Sequence, residues 1–280
     1  MGTITAIAWF SRDSGKYVRS IWDKTSNNDM WGKEILINPF ANSGKSNMIP
    51  LIKPGVLRQF LIEEIVEKGT HWNNLYPSES HPISSVFDRI SLDDQSRDDR
   101  NSTNKELWDG FINRLKHCKP LVLYVQRSYI NENLSDFNQL ESLEDTNAPW
   151  DWDHIYPQSW VYYKKNIPHI IGSWYNSIGN LRAVALEINR SENNNAAPCD
   201  RLLNRLAESF VKDNDWKYWN RIAQRISIDE APILSQAILN RLVNIYQDWY
   251  NELKIESLFE WTVSVENEKA SKTLAKYNEF

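Results

Sequence analysis

The chain has 280 residues, with 32 Lys+Arg against 37 Asp+Glu and a formal net charge of −5, too acidic to hold nucleic acid by bulk charge alone. At 41% hydrophobic and 25% charged residues, it has the composition of a globular protein and is too apolar to be disordered throughout. It contains no run of about 18 apolar residues, so no membrane span is expected. The N-terminus has neither a basic start nor a long apolar run, which argues against a signal peptide. Two cysteines, Cys118 and Cys199, cannot build a disulfide framework or a four-thiolate zinc site, and a cytoplasmic location is expected.

In chain order, residues 3–10 (TITAIAWF) suit either a strand or the first turn of a helix. Residues 24–53 are rich in Asn, Ser, Gly and Lys and predict a loop. Pro54 suits a helix start, after which Leu57, Phe60, Leu61, Ile65 and Val66 share one helical face up to Gly69. From His71 to about Asn104 the chain is polar, with DDQSRDDR at 93–100, and predicts a solvated connection and a boundary. Asn104 then caps a predicted helix carrying Leu107, Trp108, Phe111, Ile112 and Leu115, punctuated by Pro120. Residues 121–130 (LVLYVQRSYI) fit a second helix or a buried strand.

After a polar loop ending at Pro149, the run WDWDHIYPQSW predicts a strand that Pro157 terminates. A loop of about twenty residues leads to a returning strand in SIGNLRAVAL (177–186), entered through Gly179, and then to a short helix in EINRSENNN (187–195). Leu202, Leu203, Leu206 and Phe210 predict a helix after Pro198, with Asp200 in its first turn. A last helix runs from about Asp229 to Leu253 with Leu234, Ile238, Leu242, Ile245 and Trp249 on one stripe. Residues 261–280 lose the pattern and predict a frayed tail.

Four polar residues in the hairpin region carry chemistry: Asp153, His154, Asn180 and Asn189. Neighbours on a strand point to opposite faces, but at a frayed strand end Asp153 and His154 can both reach one cleft. A carboxylate and an amide oxygen suit a hard cation such as Mg²⁺. A neutral imidazole is the natural base for an attacking water near pH 7. Together these parts suit metal-assisted phosphodiester hydrolysis. The tryptophans at 150, 152, 160 and 174 are expected to form the core that fixes this hairpin.

The run D-H-I-Y-P-Q-S at 153–159, G-N-L at 179–181, and an Asn nine positions after Asn180 together resemble the HNH (ββα-metal) nuclease motif. The first part is similar to the HNH domain of RNA-guided CRISPR effector nucleases. The I-G-N-L version with flanking helices is more similar to the C-terminal nuclease domain of GmrSD-type modification-dependent restriction proteins, which include the SspE-like effectors of phage defence. The motif spans about 50 residues and the wider similarity roughly 105–260.

The resemblance implies an α+β, predominantly α-helical protein in which the hairpin–helix motif is embedded in a helical envelope. It implies a mainly helical N-terminal part with a polar connection (1–103), a nuclease domain (104–260) and a tail (261–280). Asp153 and Asn189 become metal ligands, His154 the general base and Asn180 the brace of the loop that orients it. Mg²⁺ or Mn²⁺, one per site, suits these oxygen donors better than Zn²⁺. Arg182, Arg190, Lys164 and Lys165 are the expected phosphate contacts. The expected activity is nicking of foreign double-stranded DNA. A non-catalytic DNA-binding module on the same fold and an RNA-cleaving nuclease are the alternatives.

Proteins of this kind usually carry an N-terminal nucleotide-dependent module with a D-G-Q-Q-R motif. This chain has no such motif and no Gly-rich phosphate loop, so it is expected to be the C-terminal effector part of a longer defence protein, with a missing N-terminal nucleotide-dependent sensing module as its partner. The window 146–210 contains six Lys+Arg and six Asp+Glu. The acidity therefore lies outside the motif, and weak, salt-sensitive DNA binding is expected.

Overall fold

A computed structural model describes residues 5, 8–9, 52–67, 77, 83, 97–134, 148–162, 169–191, 196–227 and 229–252. These fall in two compact units, one drawn from 1–57, 76–114 and 250–280, the other from 58–75 and 115–249. The described residues are mostly helical, with one two-stranded antiparallel sheet. No helix among them is long and apolar enough to cross a membrane.

Pro54 opens α1 (Pro54–Arg58) as expected, and the chain continues as a π-helical segment, Gln59–Glu67. The next helix, α2 (Arg97–His117), starts seven residues before Asn104, so part of the charged run expected to be a solvated connection is helical. In the first unit, Trp108 and Phe111 of α2 are buried, and Trp9 meets the Phe111 ring edge-on at 5.7 Å. Residues 121–130 resolve as helix. Pro120 sits in the first turn of α3 (Lys119–Val125), where a missing N–H costs little. The chain then continues in α4 (Arg127–Asn133).

The second unit holds the hairpin. Strand β1 (Trp150–His154) pairs antiparallel with β2 (Leu181–Ala185), with Trp150 opposite Ala185, Asp153 opposite Arg182 and His154 opposite Leu181. Two short helices, α5 (Ser159–Tyr162) and α6 (His169–Trp174), occupy the connection. Helix α7 (Leu186–Ser191) follows β2 directly and packs on both strands. An isolated two-stranded ribbon is marginal in water, and here side chains complete its outer edge. Gln126 donates to the Ala183 carbonyl at 3.0 Å and accepts from the Ala183 N–H at 2.9 Å, as a third strand would. The Tyr129 hydroxyl accepts from the Ala185 N–H at 3.2 Å. The open edge is thereby covered.

The helix expected to run from Pro198 through Phe210 ends early. It forms only α8 (Pro198–Leu202), and turns follow with positive φ at Asn204 (62°) and Phe210 (51°). Leu203 is 59% exposed, so the leucine spacing did not mark a continuous buried face. The chain re-enters helix in α9 (Asp213–Trp219), which no sequence pattern had marked.

The last helix, α10 (Ala231–Glu252), is the spine of the second unit. Leu234, Ile238, Leu242, Ile245 and Trp249 are all buried, each worth roughly 1.5–3 kcal/mol of burial. Polar side chains fasten neighbours to it. Arg58 donates to Asn240 (3.1 Å), Asn244 (2.6 Å) and Gln247 (3.4 Å), and Asn244 donates to Asp215 of α9. Gly179, at the entrance to β2, lies against α10. A Cβ there would collide with the Ile238 carbonyl oxygen and stand 2.9 Å from the Leu242 Cβ. Backbone cannot yield as a flexible side chain does. Gly179→Ala is expected to lower stability by about 1–3 kcal/mol, seen as a fall in the thermal unfolding midpoint, while Gly172→Ala, where a Cβ meets nothing, leaves it near wild type.

Candidate functional site

The hairpin places its polar residues on two faces, because side chains alternate along a strand. Asp151 and Asp153 share one face, and Trp152 and His154 share the other. The expected common cleft for Asp153 and His154 gives way to two separate sets of partners.

Asp153 was expected to hold a metal. It is instead 7% exposed, with both carboxylate oxygens taken by guanidinium groups. Arg182 approaches Oδ2 through Nε and NH2, each at 2.8 Å, and Arg201 reaches Oδ1 at 2.5 Å. Two positive charges beside one carboxylate leave little attraction for a third cation. Arg182, expected on phosphate, is the partner in this pair. It is 1% exposed and its NH1 continues inward to the Arg201 carbonyl (3.0 Å) and the Ser209 hydroxyl (3.3 Å). The reason is the register, which sets Arg182 directly opposite Asp153 on the covered face.

Asn189, the other expected ligand, lies on α7 and donates through Nδ2 to Asp151 Oδ2 at 2.9 Å. The oxygen-bearing pair that the structure brings together is therefore Asp151 with Asn189, both half-buried. Among the described residues, no group of three or more His, Cys, Asp or Glu is placed to hold a metal ion. The donor chemistry of Asp151 and Asn189, a carboxylate and an amide, suits a hard cation with several retained waters. In this structure both oxygens of Asp153 are engaged by arginines.

His154 closes β1, half-buried, and its Nε2 meets Asn176 Oδ1 at 3.0 Å. The Tyr175 ring lies nearly parallel to the imidazole, 6.4 Å away. Burial is the largest influence on its titration and lowers it below the ordinary 6.5. The Asn176 bond and Asp153 push it back up, and the charges of Lys119 and Arg201 add to the lowering. The ring is therefore neutral near pH 7.

Asn180 is fully buried and ties three backbone groups. Its Oδ1 accepts from the Tyr156 N–H (2.7 Å), and its Nδ2 donates to the carbonyls of Tyr156 (3.1 Å) and Tyr175 (2.7 Å). Its own carbonyl accepts from the Ile155 N–H at 2.9 Å. The turn is gripped from below by Arg241 of α10. That guanidinium donates to the carbonyls of Ile178 (2.8 Å), Gly179 (3.0 Å), Leu181 (2.7 Å) and Ser209 (3.0 Å). Complete burial, with the Arg182 charge nearby, lowers Arg241 to about 9, so it stays charged at neutral pH.

Lys164 and Lys165 lie outside the described residues, and Arg190 lies on α7 with its side chain outside them. The structure supplies a cation that the motif did not mark. Lys119, exposed at the start of α3, sits over the Trp152 ring at 5.0 Å, on the His154 face of β1. Its only sequence signal is its place beside Pro120 at a helix start. The expected tryptophan core is mixed, since Trp174 is buried but Trp150, Trp152 and Trp160 are half-buried.

No protein-family model, curated protein or solved structure matches this chain. Removing one partner of a buried pair strands the others, at about 3–5 kcal/mol. Asp153→Ala is expected to cost that order of stability in chemical denaturation, whereas Asp151→Ala, which breaks one half-buried hydrogen bond, costs about 1 kcal/mol.

Proposed function

We propose that the second unit is an HNH-type endonuclease that hydrolyses phosphodiester bonds in DNA. The observation that carries this reading is the placement of His154 at the end of the first strand of a strand–strand–helix unit, beside a turn braced by Asn180, with burial lowering its pKa. The residue order D-H-I-Y-P-Q-S, G-N-L and Asn189 gives the same reading.

Chemically, His154 takes the proton of an attacking water, which adds to phosphorus in line with the departing oxygen. A neutral base is needed for that step, and burial supplies it. A Mg²⁺ or Mn²⁺ ion, when bound, would neutralise charge on the scissile phosphate and stabilise the leaving oxygen; Asp151 and Asn189 carry suitable oxygens but stand on the hairpin face away from His154. Lys119 offers a positive charge to a neighbouring phosphate, and its contact with Trp152 limits its conformational freedom. The reading retains foreign double-stranded DNA as substrate, with target choice supplied by a separate nucleotide-dependent module. The double arginine lock on Asp153 favours a second reading, a non-catalytic DNA-binding module on the same scaffold.

Supercoiled plasmid with Mg²⁺ or Mn²⁺ separates the two. The chain is expected to relax it, to stop when the metal is chelated, and to lose at least about 100-fold in rate in His154→Ala. Relaxation that persists unchanged in that variant would sink the nuclease reading, and binding without cleavage in either metal would establish the second one. Single-stranded RNA in a parallel arm tests the RNA-cleaving alternative. The acid limb of the pH–rate profile is expected below 6.5, because lowering the imidazole pKa keeps the base form present to lower pH. Lys119→Ala is expected to weaken DNA binding and reduce the slope of log affinity against log salt by about one.

A further inference from the structure

The turn between α6 and β2 is held more firmly than a surface turn needs. Within residues 175–181, Asn180 captures the Tyr175 carbonyl, and the Ser177 and Asn180 amides donate to the carbonyls of Trp174 (3.0 Å) and Ser177 (2.9 Å). The Ile178 N–H donates to the Lys116 carbonyl at 2.8 Å, and Arg241 takes the carbonyls of Ile178, Gly179 and Leu181. Gly179 presses on α10 with no room for a Cβ. One exposed side chain stands on this rigid turn beside the hairpin, Asn176, and its amide oxygen faces His154 Nε2 at 3.0 Å.

An amide oxygen accepts and cannot donate, so the ring nitrogen facing it must carry the proton. In a neutral imidazole the other nitrogen, Nδ1, then holds the lone pair. The geometry points to Asn176 as the positioning residue that fixes the His154 tautomer and presents Nδ1 as the base. This rests on the reading of His154 as the general base. An exposed amide–imidazole hydrogen bond competes with water and is weak by itself. Here the acceptor is delivered by a turn whose ordering is already complete, so little conformational freedom is lost when the bond forms. Asn180 thus acts on His154 at one remove. It fixes the carbonyl of Tyr175, and the next residue in the chain is Asn176.

The test uses the full chain labelled with ¹⁵N-histidine, at a pH where the imidazole is neutral, with the His154 signals assigned by their loss in His154→Gln. The wild type is expected to show a proton on Nε2 that exchanges slowly with water. Asn176→Ala should lose that slow exchange, and Asn176→Asp, which keeps an acceptor oxygen in place, should retain it. In the plasmid assay Asn176→Ala should lower kcat about tenfold with KM unchanged, and Asn176→Asp should restore most of it. A proton on Nδ1 in the wild type, or a ring N–H signal and kcat unchanged in Asn176→Ala, overturns the assignment. A wild-type chain that shows the Asn176-dependent signal but cuts no nucleic acid upholds the contact, and the nuclease reading alone fails.

Discussion

A buried carboxylate between two buried guanidinium groups sets the conditions for the rest of the second unit. Asp153 cannot leave water without partners, and Arg182 and Arg201 cannot either, since each stranded ion would cost several kcal/mol. Their mutual attraction across a low-dielectric interior offsets that cost only when the remaining donors are also satisfied. Arg182 meets this condition through the Arg201 carbonyl and Ser209, and Arg201 through the Ala196 carbonyl at 2.9 Å. Arg241 donates to main-chain carbonyls in place of a carboxylate, while its buried Nη2 has no hydrogen-bond partner among the described residues. The cluster contains more arginine than acid, and main-chain oxygen makes up part of the difference.

This polar core gives the two faces of the hairpin different surroundings. One face of the hairpin is committed to ion pairing and to α7, and Trp152 and His154 stand on the other. On that face the imidazole is stripped of enough water to stay neutral, yet Asn176 and Tyr175 beside it are not fully buried. The turn carrying Asn176 gains its rigidity from Arg241, so the same arginine-rich interior that occupies Asp153 also steadies the neighbourhood of His154.

Much of the local structure was legible because it depends on short-range rules. Pro157 and Gly179 bounded the strands, Pro54 and Pro198 opened helices, and the stripe of Leu234, Ile238, Leu242, Ile245 and Trp249 marked α10. The misplaced elements were those in which a local pattern competed with distant packing. Leu203 keeps helical spacing with Leu202 and Leu206, but the chain turns away through Asn204 so that Ser209 can meet Arg182 and Arg241. Residues 121–130 were ambiguous because an apolar run suits a buried strand as well as a helix. Gln126 decided the outcome by serving β2 through its side chain, from a position between two helices.

By itself the sequence determined that a hairpin leads into a helix, with its first strand stopped by Pro157 and its second entered through Gly179, because these follow from alternation, proline and glycine within a few tens of residues. Only the tertiary structure decided what each polar group does. Asp153 is claimed by an arginine 48 positions away, Asn189 by Asp151 38 away, and His154 by an asparagine 22 away. Residue type announces which interactions a side chain is able to make. Which one it makes depends on what folding brings within 3 Å and whether water is left there to compete.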